Sequence, residues 1–221
     1  MKHHREVSTT SLLSHDRFVG DGHGPRRIDN PGLFQGKRRT MIIHLLDSPL
    51  VERAALYASA AHAAIGQTRK FVGTPYIEHP RAVAERISRV PGITPVAVAA
   101  AWLHDVIEDT EVTCDLLQEH FPAEVVALVL ALTTPERIEG QSRRAHHAMV
   151  LNRLAVAPAA VQTIKCADIL DNGSSLAERQ GLAAKPYLEK KREQLMVMQA
   201  GCPELRCEAL QAIEGALATL S

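Results

Sequence analysis

The sequence predicts an all-α protein with one helical domain from residue 41 to residue 221. Proline follows a capping hydroxyl residue at two predicted helix starts, and no stretch alternates convincingly between apolar and polar residues. Aromatic residues make up only 4% of the chain, whereas 31 alanines follow residue 53. Because alanine has the highest helix propensity and a small side chain, this composition favours closely packed helices.

The first predicted helix begins at Ser48-Pro49, where the serine is a candidate N-cap and the proline occupies the first helical position, and it ends near Ile65. Thr94-Pro95 repeats this pattern and starts a third helix, which we expect to continue to about Glu108. The other helices are predicted at about 80–89, in a short segment capped by Thr113, and at about 122–132, 136–154, 158–171, 186–200 and 203–219.

A basic, glycine-rich segment precedes the helical domain. Residues 1–40 contain eight Lys/Arg and four Asp/Glu, a net charge of +4, and the rest of the chain contains 17 and 21, a net charge of −4. Because the segment has no sustained apolar period, we expect a disordered basic extension at 1–40 and the folded domain at 41–221. The overall charge of zero argues against a general nucleic-acid-binding protein.

Other features of the sequence indicate a cytoplasmic location. The four cysteines form no Cys-x-x-Cys pair, and we expect them to be reduced and packed as small apolar side chains. No apolar run approaches the roughly 18–20 residues of a membrane span, and the N-terminus lacks the apolar region of a signal peptide. We therefore expect no membrane partner, and the sequence carries no signal of an oligomeric state.

The end of the third predicted helix carries polar groups directly after a buried run. Eight consecutive apolar residues, Val96–Leu103, precede His104-Asp105, and Glu108-Asp109 follow one turn later. Burying a carboxylate is costly unless a cation or donors satisfy it. On a continuous helix these four residues would share an arc of about 140°, which suits a metal site with its acid/base partners. A helix that reaches the surface would explain Glu108-Asp109, but it explains His104-Asp105 poorly.

Two other segments contain polar residues that are candidates for a functional site. Asp168 interrupts a later apolar stretch, with Asn172 one turn on along the same helix face, although a surface salt bridge to Lys165 explains these residues equally well. Arg69-Lys70 precede a Gly/Pro turn, and His79 follows it. Solvated basic side chains and a structural histidine are the plainer interpretation of that segment.

Taken together, three segments of the sequence resemble one enzyme family. They read Gln-x-Arg-Lys…Gly-x-Pro-Tyr-Ile-x-His-Pro at 67–80, Leu-His-Asp-Val-Ile-Glu-Asp-Thr at 103–110, and Lys-x-Ala-Asp-x-x-x-Asn at 165–172. A histidine, a His-Asp pair and a distant aspartate in this order are similar to the ligands of HD-domain metal-dependent phosphohydrolases. The surrounding residues resemble the hydrolase domain of RelA/SpoT-type enzymes, and above all the small alarmone hydrolases, over residues 48–175.

The resemblance implies an HD-domain helical bundle that removes the 3′-pyrophosphate of guanosine tetra- or pentaphosphate, (p)ppGpp, using Mn²⁺ and leaving GDP or GTP. The implied metal ligands are His79, His104, Asp105 and Asp168, a nitrogen and oxygen set that suits such an ion. The implied acid/base and water-positioning residues are Glu108 and Asp109. The implied substrate-binding residues are Arg69, Lys70, Asn172 and Ser175. Since no synthetase-like segment follows residue 221, we expect hydrolysis alone.

The sequence departs from the family pattern near the end of the first helix. His62 lies four residues before Gly66-Gln67, whereas many members place this histidine two residues before that pair. We do not count His62 as a metal ligand, since His79 already fills that role. The loop after Arg69-Lys70 also differs in length from that of the bifunctional enzymes, and Cys166 replaces a usual aliphatic residue.

Other functions are compatible with the same residues. An HD phosphohydrolase of this kind would also suit another nucleotide, such as a nucleoside 5′-monophosphate or the 2′-phosphate of NADPH. A metal-free HD binding module is the non-enzymatic alternative, and a nucleic-acid-binding role rests only on the basic extension. Because the domain is acidic, a polyanionic substrate needs local cations, for which the candidates are Arg69, Lys70, Arg143, Arg144 and Lys165.

Overall fold

The described part of the chain is built from α-helices. The computed structural model describes residues 46–70, 72–173, 176 and 180–220, so the predicted extension at 1–40 and the predicted site residue Ser175 lie outside the described residues. Within these ranges the only β-pairing is one isolated bridge between Thr68 and Pro75. The predicted all-α class is therefore confirmed. In the same ranges, no helix combines the length and the apolar character that crossing a membrane requires.

The helices follow one another in short steps. In chain order they are α1 Pro49–Ala64, α2 Glu78–Ile87, α3 Pro95–Leu103, α4 Val106–Asp109, α5 Cys114–His120, α6 Ala123–Leu132, α7 Arg143–Val156, α8 Ala159–Gly173, α9 Lys185–Val197 and α10 Pro203–Ala218, with a 3₁₀ turn at Gly181–Ala184 before α9. Most of the predicted helices are present, with boundaries that shift by a few residues.

Helix α3 is the centre of the bundle. Its residues from Ala97 to Leu103 are all buried, and it packs against α1, α2, α6 and α8. The predicted cap is confirmed, because Thr94 Oγ1 accepts a hydrogen bond of 3.2 Å from the backbone N–H of Ala97. A helix that is apolar on all sides is stable only when other helices surround it. The residues at its C-terminal end therefore lie in the middle of the protein.

The prediction that this helix continues to Glu108 is wrong. Helix α3 ends at Leu103 and α4 begins at Val106, so His104 and Asp105 form a junction between the two. Asp105 has φ −104° and ψ −3°, well away from the regular helical values of about −63° and −42°. The N–H of Asp109 still bonds to the carbonyl of Asp105 at 2.9 Å, so Asp109 lies one helical turn after Asp105 as expected. The stacking of Glu108 on His104 stays a prediction.

The predicted helix at 136–154 begins seven residues later than expected. The segment before it contains Gly140, whose φ of +78° is one that glycine adopts at little cost. Helix α7 then starts after Ser142, whose Oγ accepts a hydrogen bond of 3.1 Å from the N–H of Ala145. A turn followed by a capping serine thus moves the start of this helix from the expected residue 136 to Arg143.

A buried glutamine on α8 links the C-terminal helices to the bundle through hydrogen bonds. Gln162 Oε1 accepts hydrogen bonds from the N–H groups of Ala200 and Gly201, at 2.7 and 3.0 Å. Its Nε2 donates to the carbonyls of Leu154 and Ala157, at 2.9 and 3.1 Å. One side chain therefore satisfies four backbone groups in the turns after α7 and α9.

Replacing Gln162 with leucine should lower the free energy of unfolding by about 2–4 kcal/mol, because buried backbone groups lose their partners. Urea unfolding followed by circular dichroism measures this change. Gln211→Leu, on the exposed side of α10, is the matched control and should change the stability by less than about 0.5 kcal/mol. Equal stability of the two variants would contradict the structural role of Gln162.

Candidate metal centre

Two histidines and an aspartate converge inside the bundle. His79 comes from the first turn of α2, and His104 and Asp105 come from the α3–α4 junction. Each residue offers one ligand atom, and these atoms lie within 4.8 Å of one another. Asp105 Oδ2 is 3.0 Å from His104 Nε2 and 3.6 Å from His79 Nε2. Both histidines are only 1% exposed and Asp105 is partly exposed, so the three residues form a compact, largely buried group.

Hydrogen bonds determine which nitrogen of each imidazole faces this group. His79 Nδ1 lies 2.7 Å from Asp171 Oδ2, and His104 Nδ1 lies 2.8 Å from the carbonyl oxygen of Ala101. A carbonyl and an ionised carboxylate only accept, so each Nδ1 carries a proton and each Nε2 is directed to the group. This is the usual arrangement of metal-binding histidines, which donate their other N–H to a carboxylate or a carbonyl.

His104 Nε2 gives a direct indication of a missing partner. This nitrogen is buried and makes no hydrogen bond to any described residue, although Asp105 Oδ2 is close to it. In the protein without metal, the Asp105 carboxylate, 3.0 Å away, is the group that compensates this nitrogen when the imidazole is protonated. Two imidazole nitrogens beside carboxylate oxygens are a donor set that a divalent cation fits.

Asp168 brings a second carboxylate to the same region from α8. Its Oδ1 lies 3.3 Å from His79 Nε2 and accepts a hydrogen bond of 2.7 Å from Asn172 Nδ2. Its Oδ2 forms an ion pair of 2.9 Å with Lys165 Nζ. The ion pair that the sequence analysis weighed as a surface contact thus exists, but it is largely buried. Asp168 lies beside His79, although it is not part of the three-residue group whose ligand atoms all lie within 4.8 Å of one another.

The charges in the cluster depend on one another. Burial lowers the pKa of His79, but the carboxylates of Asp168 and Asp171 outweigh this effect and raise the pKa to about 9. Burial raises the pKa of Asp105 and Asp168, but His104 and Lys165 respectively hold both values well below the ordinary range. Without metal, protonated imidazole therefore lies beside ionised carboxylates, and a bound cation would take the place of those protons.

The predicted acid/base residues lie at the exposed edge of the cluster, and each is held by a distant segment. The backbone N–H of Thr134 donates to Glu108 Oε1 at 2.5 Å. Gln67 Nε2 donates to Asp109 Oδ2 at 2.9 Å. Both carboxylates therefore have fixed positions beside the buried group, and each keeps one oxygen for which no hydrogen bond to a described residue is seen.

His62, set aside in the sequence analysis, is joined to this edge through Gln67. His62 Nδ1 lies 2.6 Å from Gln67 Oε1, on the same amide that binds Asp109. The chain bends at the end of α1 through Gly66, which has φ +63°, and the N–H of Gln67 bonds to the carbonyl of His62 at 3.0 Å. His62 Nε2 is buried without a partner among the described residues, as His104 Nε2 is.

The predicted substrate-binding residues differ in their surroundings. Arg69 Nη2 donates to Asp171 Oδ2 at 2.7 Å, and the same oxygen contacts His79, so Arg69 is tied to the cluster. Lys70 is exposed. The amide nitrogen of Asn172 faces inward, 3.4 Å from His79 Nε2 and closer still to Asp168.

Sequence reasoning missed two residues that hold the cluster. Asp171 binds both His79 and Arg69, and Tyr76 donates its hydroxyl proton to Asp105 Oδ2 at 2.6 Å. Both stand inside the segments already singled out, Asp171 beside Asn172 and Tyr76 three residues before His79. A carboxylate three residues after Asp168 on one helix was therefore an available signal.

Comparisons with known proteins agree with this geometry. A family model described as the HD domain matches residues 54–194. The mouse guanosine-3′,5′-bis(diphosphate) 3′-pyrophosphohydrolase MESH1 is 42% identical over 87 residues, which are 38% of this chain and 49% of that protein. A probable enzyme of the same name from Synechocystis is 34% identical over 145 residues, 64% of this chain and 18% of the relative.

A solved structure has the same fold. It is that of a metazoan orthologue of SpoT described as hydrolysing ppGpp, with a TM-score of 0.68 and 24% identity, and the match covers 78% of this chain and 98% of that one. The chain belongs to the HD-domain family. Its predicted place among HD-domain phosphohydrolases related to the MESH1 and SpoT ppGpp hydrolases is confirmed, although the chain spans about half or less of the length of the curated relatives it matches.

Replacing Asp171 with asparagine should weaken the binding of Mn²⁺ by about 10–100-fold, because His79 loses the carboxylate that orients its ring and raises its basicity. Calorimetric titration of the purified protein measures the dissociation constant. Glu85→Gln, at an exposed position on α2, is the control and should leave it unchanged. Unchanged affinity in the Asp171 variant would contradict this role.

Proposed function

We propose that this protein is a Mn²⁺-dependent 3′-pyrophosphohydrolase that converts (p)ppGpp to GDP or GTP and pyrophosphate. The observation that carries the proposal is the buried group of His79, His104 and Asp105, whose ligand atoms lie within 4.8 Å of one another. The named activities of the MESH1 and Synechocystis relatives support the choice of substrate. The same activity is the one on which the three sequence segments converge.

The proposed ligands of one Mn²⁺ ion are His79, His104, Asp105 and Asp168. When bound, such an ion supplies Lewis acidity to phosphoryl oxygens and lowers the pKa of a water molecule towards neutrality. Tyr76 and Lys165 each bind one oxygen of Asp105 and Asp168 respectively, which fixes the direction of the carboxylates. Asp171 does the same for the ring of His79.

Glu108 and Asp109 are proposed to position the attacking water and to move its proton. Each is an exposed carboxylate whose position is fixed by a donor from another segment, which suits a group that must hold one water in place. In the reaction, the water oxygen bonds to the phosphorus nearest the ribose and the bond from that phosphorus to the 3′ oxygen breaks. The 3′ oxygen takes up a proton, and the diphosphate leaves intact.

Arg69, Lys70, Asn172 and Ser175 are the proposed substrate contacts. Arg69 is partly exposed and held in place by Asp171, so its planar guanidinium is preorganised to pack against a purine base. Lys70 is exposed and suits a contact to phosphate.

Free thiols in the described part of the chain are consistent with the proposed cytoplasmic location. The boundary between an extension at 1–40 and a domain at 41–221 stays a prediction.

With Mn²⁺ and ppGpp, the purified protein should release GDP and pyrophosphate in equal amounts. NADPH and nucleoside 5′-monophosphates should give little orthophosphate under the same conditions. Chromatography of the nucleotides, with separate assays for the two phosphate products, measures this. Predominant release of orthophosphate would contradict the proposal and favour the alternative nucleotide substrates.

The matched variants for this assay are Glu108→Gln and Glu111→Gln. Loss of a group that transfers a proton typically costs about 10²–10⁴-fold in rate, so the first variant should lose that much of kcat. Glu111 is exposed, lies just beyond α4 and should be dispensable. If neither the wild-type protein nor the control binds Mn²⁺ stoichiometrically, the protein is a metal-free binding module.

A further inference from the structure

A small basic recess lies on the side of Asp168 that faces away from His79. Asp168 Oδ1 is directed to His79, and Oδ2 is directed to Lys165, which also lines the recess. Two further basic residues contribute to the walls, Lys191 from α9 and Arg153 from α7. The cavity volume is about 40 Å³. About 10–15 Å³ of cavity volume is enough for one buried water. The recess therefore admits about three waters or one compact anion.

The positive charges of the recess are not fully compensated. Lys165 is paired with Asp168, but in the part of the chain that the structure describes no carboxylate lies within ion-pair distance of Lys191. The Lys191 ammonium lies 5.2 Å from the centre of the Tyr187 ring, a weaker contact than an ion pair. Burial and the charge of Lys165 lower the pKa of Lys191 to about 8. Neighbouring ammonium groups in a confined space repel each other unless an anion lies between them.

A second polar group of the recess also lacks a partner. Gln194 lies one turn after Lys191 on α9, and its Oε1 is buried without a hydrogen bond to any described residue. Among the described residues, Arg153 makes a single long contact, of 3.5 Å, from Nη2 to the carbonyl of Leu130. The recess thus presents donors and one acceptor that the described residues leave unused.

The recess is connected to the candidate metal centre by two direct contacts. Lys165 binds Asp168, a proposed metal ligand. Thr134, another residue of the recess wall, donates its backbone N–H to Glu108. A group held between Lys165 and Lys191 therefore lies next to the place where phosphoryl chemistry is proposed to occur.

We propose that this recess binds one phosphate group of the substrate, the terminal phosphate of the diphosphate that leaves as pyrophosphate. This inference rests on the proposed function. A phosphate bears several acceptor oxygens, which suit the ammonium groups of Lys165 and Lys191 and the guanidinium of Arg153. These side chains supply the local attraction that an acidic domain needs to bind a polyanion.

The test is the binding of inorganic pyrophosphate to the Mn²⁺-loaded full-length protein by calorimetry, with Lys191→Met and Lys190→Met compared. Lys190 is the exposed neighbour on the same helix. Loss of a charge-assisted hydrogen bond should weaken binding to the Lys191→Met protein by about tenfold or more, whereas Lys190→Met should bind like wild type. Lys191→Arg, which keeps the charge, should restore most of the affinity.

Thermal unfolding of the same variants excludes a merely structural role for Lys191. Because its ammonium group has no ion-pair partner among the described residues, Lys191→Met should raise the unfolding midpoint by about 2–4 °C. A lower midpoint, or equal pyrophosphate affinity in the Lys191→Met and Lys190→Met proteins, overturns the proposal. Absence of pyrophosphate binding by the wild-type protein overturns it too.

The ppGpp assay on the same samples separates the two proposals. If the protein releases pyrophosphate from ppGpp and Lys191→Met binds pyrophosphate normally, only the recess is refuted. If pyrophosphate binding depends on Lys191 but ppGpp is not cleaved, the proposed function is refuted, and the recess stands as a phosphate-binding site for another substrate.

Discussion

The burial of imidazoles and carboxylates in the middle of an apolar bundle is the constraint on which the rest of the structure depends. Transfer of a lone ionised group out of water is unfavourable by several kcal/mol or more, so each charge needs a partner. Asp171 binds His79, Tyr76 binds Asp105, and Lys165 binds Asp168. The cluster is thus neutralised in part by its own neighbours. A divalent cation would complete the compensation at His104 Nε2, which, like His62 Nε2, is buried without a hydrogen bond to a described residue.

The same constraint explains the local backbone. A continuous helix through 95–109 would keep His104 and Glu108 on one face. Because α3 ends at Leu103, His104 and Asp105 both lie close to His79. Glu108 and Asp109 instead accept hydrogen bonds from Thr134 and Gln67 respectively. The sharp end of α1 at Gly66 places Gln67 where it contacts both Asp109 and His62. Separate helix ends therefore combine to build one site.

Much of this architecture could be predicted from the sequence, because caps and buried polar residues are local signals. Thr94-Pro95 fixed the start of α3, and His104 or Asp168 in an apolar run pointed to the cluster. The break at His104-Asp105 could not be predicted, since it depends on partners from α2 and α8 that no local pattern reveals. The same holds for Lys191, an ordinary residue of a charged helix. That no described carboxylate pairs with it is a property of the tertiary packing alone.

The central claim is that His79, His104, Asp105 and Asp168 form one metal site. Anomalous diffraction at the manganese edge, from crystals of the full-length protein grown with Mn²⁺, tests it most directly. The account predicts one strong peak bonded to Nε2 of both histidines and to both carboxylates, with Nδ1 of His79 still bound to Asp171. The absence of a peak there under saturating Mn²⁺, or coordination through Nδ1, would contradict it.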